Sequence, residues 1–148
     1  VVFLAMVRYY DSARDDYFKW LQLPYWQTRH ITESPVFDDA LRENSDRAGW
    51  ASAPTQTLLP AIRAIHTAVA RYQQKIAQVQ TIEAIRMYGA AHEDRLPESL
   101  NDLPVPAPME PLTGKPLDYK HYGDHAVLSG YQVNGTQYRF VLRIAGDE

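Results

Sequence analysis

The sequence predicts an α+β fold in which two N-terminal helices, the second long, precede a three-stranded antiparallel sheet packed on that long helix. Three observations predict it. Apolar residues recur in steps of 4 and 3 from Leu58 through Ile62, Ile65, Val69, Tyr72 and Ile76 to Val79, the spacing of one helix face. Six prolines between Leu96 and Pro116 then forbid regular structure while holding an extended path. Last, the segments LDYKHY, HAVLSGYQV and TQYRFVLRI follow, with Asn134-Gly135 between the final two, a strong short-range hairpin signal.

The elements follow in order. Phe3, Val7, Tyr10, Tyr17 and Leu21 stand at helical spacings among Asp11, Arg14, Asp15 and Lys19, so Val2 to about Leu23 reads as an amphipathic helix that Pro24 stops. From Pro24 to Ala53 the period is lost, and the segment reads as a packed loop with a short helix over Asp38 to Glu43. The long helix is expected from Leu58 to about Glu93, with Thr57 as its cap and Pro60 in its first turn. That is roughly 35 residues and about 50 Å at 1.5 Å per residue. Its stripe has two readings: packing on the N-terminal helix of the same chain, or a homo-oligomeric coiled coil through Ile62 to Val79.

A chain of 148 residues suits one domain. Residues 1–56 supply the N-terminal helix and aromatic loop region, and residues 57–148 supply the long helix and sheet. Apolar residues make up 45% and charged residues 22%, ordinary globular usage. The net charge of −3 is spread along the chain, which argues against a nucleic-acid partner. With no cysteine, disulfides, thiolate metal sites and a Cys nucleophile are all excluded. The opening VVFLAMV is apolar but far short of the about 20 residues a membrane span needs. Its Phe3 and Val7, with Tyr10, are expected to face a core. The lack of an initial Met suggests a processed or truncated product whose missing portion could have carried a signal or an anchor.

Tyr88, His92, Leu96, Pro97, Glu98, Ser99 and Leu100, followed by Pro111, Leu112, Thr113, Gly114, Lys115, Pro116, Leu117 and Tyr119, form one pattern: helix, PESL, then PLTGKPLDY, then strands. Tyr88 and His92 lie one helical turn apart and share a face. Gly114 permits positive φ in its turn, and Lys115-Pro116 restarts an extended chain. This order resembles the globular region of type II secretion pseudopilins, and still more a pilin-like domain of planctomycete proteins. The resemblance implies an extracytoplasmic, membrane-anchored, non-catalytic domain that meets a protein partner. It implies no cofactor, and a membrane contact only through a segment absent from this chain.

Few residues suggest chemistry. His121 and His125, with Asp118 and Asp124 nearby, invite a metal reading, because imidazole and carboxylate suit zinc; His121, Asp124 and His125 are the candidate ligands of a metal-dependent alternative. His92, Glu93, Asp94 and Arg95 are consecutive and so do not converge on one atom. Ser129 lacks the Gly-x-Ser-x-Gly elbow, and the TGK at Thr113 lacks the upstream glycine and following helix of a phosphate loop. No catalytic residue is expected. Ten tyrosines, three tryptophans and four phenylalanines remain, with Tyr25, Trp26, Phe37 and Trp50 concentrated in the loop region. Those four are either core packing or a partner-binding surface.

Overall fold

The computed structural model describes residues 2–32, 34, 39, 42, 43, 46, 49–132 and 135–143. The class is α+β, with helices and a three-stranded antiparallel sheet. Two compact units divide the chain, Val1–Ala70 and Arg71–Glu148.

In the first unit, α1 spans Val2–Leu21 and α2 spans Tyr25–Thr32. The second helix of the chain is therefore short, and the long one follows it, which corrects the expected helix order. Pro24 both ends α1 and opens α2. Its missing N–H does no harm ahead of a first turn, and its carbonyl accepts from Gln27 N at 2.9 Å. Eight residues are too few to display an apolar period, but Tyr25 and Thr28, three apart, are both buried. The helix expected over residues 38–43 lies largely outside the described residues. A 3₁₀ turn at Gly49–Ser52, against which α1 packs, leads into α3, Ala53–Ala91.

Helix α3 starts four residues before the expected cap. Pro54 already occupies the first turn, where proline fits. Thr57 consequently bonds backward, its Oγ1 donating to Ala53 O at 3.1 Å, and Pro60 lies inside the helix. The far end needs left-handed backbone at Glu93 and Asp94 (φ 55° and 59°), where His92 N and Asp94 N both donate to Gly89 O at 2.9 Å. Carbonyls of a last helical turn are commonly satisfied in this manner.

The second unit holds the rest of α3 and the sheet β1 (Asp118–His121), β2 (His125–Ser129) and β3 (Arg139–Arg143), in the order β1-β2-β3. Opposed pairs Tyr119↔Leu128 and Ala126↔Leu142 set Tyr119, Ala126, Leu128 and Leu142 on one face. Tyr119 and Leu142 pack with Tyr88, Leu96 and Leu100 against Ala84, Ile85 and Leu103. The β1–β2 link turns at Gly123 (φ 91°). The β2–β3 link is longer than the two-residue hairpin the sequence suggests, because regular pairing stops at Ser129 and resumes at Arg139. Asn134 lies outside the described residues; Gly135 has φ 77°.

Candidate functional site

The proline-rich segment is tied down at three places. Ser99 and Asp102 form a capping box over the 3₁₀ turn Leu100–Asp102: Asn101 N donates to Ser99 Oγ at 3.0 Å and Ser99 N to Asp102 Oδ2 at 2.8 Å. Buried Pro97 offers its carbonyl to Tyr119 Oη at 2.7 Å. Burial, with the nearby carboxylates of Glu98 and Asp102, pushes the Tyr119 phenol up to about 12. At the helix end, the His92 ring stacks on Tyr88 with centroids 3.9 Å apart and planes at 8°, and its Nδ1 lies 2.8 Å from Tyr88 O.

The third tie was not legible as a site. Glu110, only 2% exposed, accepts from Gln74 Nε2 at 2.8 Å and from Thr113 Oγ1 at 2.7 Å. Its main chain closes the turn: Glu110 N donates to Lys115 O, and Gly114 N donates to Glu110 O, with Gly114 at φ 66°. Gln74 Nε2 also reaches Tyr131 O at 3.0 Å, and Gln78 Nε2 reaches Tyr138 O at 3.1 Å. Two glutamines from one face of α3 thus bond main-chain acceptors of the β2–β3 link, where Tyr138 O also accepts from Gly130 N at 3.1 Å. Gly130 makes this approach possible, since a Cβ there would stand 2.6 Å from Gln74 Nε2. Spacing was the available signal. Gln74, Gln78 and Thr81 share the α3 face with Ala70, Ala77 and Ala84, seven apart, and that small, polar face is the buried one. Beside it lies an open cleft of about 350 Å³ lined by Glu110, Lys115, Asp118, Ser129 and Gln137.

The histidines suggested as metal ligands are separated. His121 pairs with Ala126, whereas His125 is the neighbour of Ala126 on the same strand, so the two rings point to opposite faces of the hairpin. His121 Nδ1 lies 3.1 Å from Glu98 Oε2; His125 Nδ1 lies 2.7 Å from Asp124 Oδ1 and its ring stacks on Tyr122. The hydrogen bond to His125 holds the Asp124 carboxyl below its usual range. Among the described residues no three His, Asp or Glu side chains gather as a metal site. Ser129, at the end of β2, is buried.

Of the aromatic candidates, Tyr25 is core, its ring edge-on to His66 at 5.2 Å, while Trp26 is exposed. Phe37 and the side chain of Trp50 lie outside the described residues.

The α3 stripe is the largest departure from expectation. Leu58, Ile65 and Val69 are exposed in the first unit, and Tyr72, Ile76 and Val79 in the second, with Ile65 at 63% and Tyr72 at 65%. These positions are exposed rather than core, against the expectation of intramolecular packing. No helix among the described residues is long and apolar enough to cross a membrane.

No family model, curated protein or solved structure matches the chain.

Proposed function

We propose that the chain is a non-catalytic, extracytoplasmic, pilin-like domain serving assembly or protein–protein contact. One observation carries the reading. The polar groups of the 88–119 pattern are engaged in holding that pattern together. Tyr119 Oη is spent on Pro97, Ser99 and Asp102 on each other, and Glu110 on Gln74 and Thr113. A catalytic site needs a nucleophile, base or oxyanion donor directed at a shared point; these groups are directed at one another. The resemblance to pseudopilins supplies the location, and the solvent-facing Trp26 and α3 stripe supply contact surface. A metal-dependent alternative through His121 and His125 gains no support from a hairpin that turns the two rings apart.

Fractionation of the cells that make the protein, probed with an antibody against it, tests the proposal. Recovery in the periplasmic or envelope fraction is expected; recovery with cytosolic markers overturns it.

A further inference from the structure

We propose that the outer edge of β3 takes an added strand from a protein partner, an extended segment with apolar residues between two acidic ones four apart. The inference deepens the reading of the chain as a contact domain by naming an edge and a partner's chemistry. It rests on the Arg71–Glu148 unit alone, so it can fail while the envelope location stands.

Strand β3 ends the sheet, so one of its sides has no neighbouring strand. Gly130 N donates to Tyr138 O at 3.1 Å, which makes these two a bonded pair of the β2–β3 register, and bonded pairs recur at every second residue. Phe140 and Leu142 therefore turn their main-chain groups to β2, and Arg139, Val141 and Arg143 turn theirs outward. Alongside that edge runs an open groove of about 550 Å³. Val141, Leu142 and Arg143 all line it, although successive strand residues point to opposite faces, so the groove lies against the side of the strand. Ile82, Ile85 and Leu96 form an apolar wall across from it. An added strand would bond the outward main-chain groups and lay alternate side chains on that wall, which is recognition by β-augmentation.

Charge selects the partner. β3 reads Arg-Phe-Val-Leu-Arg, with an arginine at each end of the outward set. A second copy pairing two-fold antiparallel about Val141 would set Arg139 against Arg143 twice over, and like charges directly opposed are destabilising. Charged residues guard a sheet edge against self-pairing in this way. The same two arginines suit a strand that carries carboxylates four residues apart. Among the described residues neither is held in an ion pair. Asp118, which stands across β2 from Arg139, is paired with Lys120 at 3.9 Å. The Asp124 carboxyl is lowered chiefly by its hydrogen bond to His125 and in part by Arg143. Arg86, Arg95 and Asp94 also line the groove. Glu83 at 3.0 Å and Glu93 at 2.9 Å offset Arg86 and Arg95 in exposed pairs, so the selection falls on Arg139 and Arg143.

Fluorescence anisotropy of the full chain with a labelled, capped Glu-Ile-Val-Ile-Glu peptide tests the proposal; its valine would oppose Val141 and its isoleucines would meet the apolar wall. Binding is expected with a dissociation constant of about 10–500 μM. The same peptide with lysine in place of both glutamates should bind about 10-fold or more weakly. Arg139→Glu with Arg143→Glu should reverse that preference, a result that loss of folding cannot imitate. N-methylation of the peptide amides that face β3 should abolish binding to the wild-type chain, and the amide protons of Val141 and Arg143 should exchange more slowly with peptide bound. Should the variant unfold, the wild-type comparisons decide alone. No binding at about 1 mM peptide, equal binding of the N-methylated peptide, or an unreversed preference in the folded variant overturns the proposal. Slow exchange at Val141 without peptide, together with a concentration-dependent dimer, assigns the edge to a second copy and likewise overturns it.

Discussion

The Gln74–Glu110 contact should be among the strongest single determinants of stability in the Arg71–Glu148 unit. Glu110 accepts two hydrogen bonds in a nearly dry setting, from Gln74 Nε2 at 2.8 Å and Thr113 Oγ1 at 2.7 Å. A hydrogen bond to a charged group contributes about 1.5–3 kcal/mol, and a buried donor left without a partner costs about 1–3 kcal/mol. Glu110→Ala removes both bonds and strands Thr113, so a loss of about 3 kcal/mol is expected. Gln74→Ala removes the bond to Glu110 and the one to Tyr131 O and leaves a cavity, a loss of similar size, about 3 kcal/mol. The two substitutions share one bond, so the double variant should fall short of the sum by about 1–2 kcal/mol. Glu110→Gln keeps the shape and one acceptor for Gln74, and its amide can donate to Thr113 Oγ1; its cost should be nearer 1 kcal/mol. Urea unfolding at pH 7 reads all four chains. Every tryptophan precedes residue 71, so tryptophan fluorescence reports the Val1–Ala70 unit, and far-ultraviolet circular dichroism must carry the Arg71–Glu148 transition. Coupling below about 0.5 kcal/mol would refute the reasoning.

Gly130→Ala should cost about 1–3 kcal/mol by overpacking, since the new methyl would stand 2.6 Å from Gln74 Nε2 and 3.0 Å from Gln78 Nε2; a urea midpoint equal to wild type would show that the glutamines give way at no cost. Tyr119 binds its proton more tightly in the fold, about 12 against an ordinary 10.0, so its contribution is complete below pH 10 and is lost as pH rises toward 12. Because the ring is partly exposed, the loss should be roughly 1–2 kcal/mol. Tyr119→Phe should flatten that part of the alkaline stability profile, and an unchanged slope in the variant would count against the Pro97 contact.

Where a residue pattern has a single physical reading, the sequence predicted well. The end of α1 near Pro24, positive φ at Gly114, the common face of Tyr88 and His92, and three antiparallel strands all follow from local sterics or period. Misreadings arose where one pattern serves two ends. Pro24 reads as a stop and is equally a start, which hides α2. Thr57 reads as a cap, though Pro54 already marks an earlier first turn. The polar cluster escaped notice because Gln74 and Glu110, 36 residues apart, carry no local signal of meeting. Metal ligation was suggested by the closeness of His121 and His125 in sequence, yet strand alternation and the pairing register direct them to opposite faces. The register is set by where the turn at residues 122–124 falls, and closeness in sequence does not specify it.

The inversion of α3 has a cause in the sheet. Past Ser129 one further cross-strand bond forms, Gly130 N donating to Tyr138 O at 3.1 Å, but Tyr131 O has no main-chain donor, and burying a main-chain acceptor unsatisfied is costly. Polar side chains from α3 reach both carbonyls. That requirement places Gln74 and Gln78 on the inner face, and Gly130 and the alanines at 70, 77 and 84 let the backbones come close enough for a glutamine to reach. Large aliphatic side chains on that face would strand Tyr131 O and collide with Gly130. The apolar rows must then lie on the other side of the helix, and a heptad-spaced row there cannot be core for the Arg71–Glu148 unit. Tyr72, Ile76 and Val79 are accordingly exposed, which is why the spacing that marks the helix does not mark its buried face.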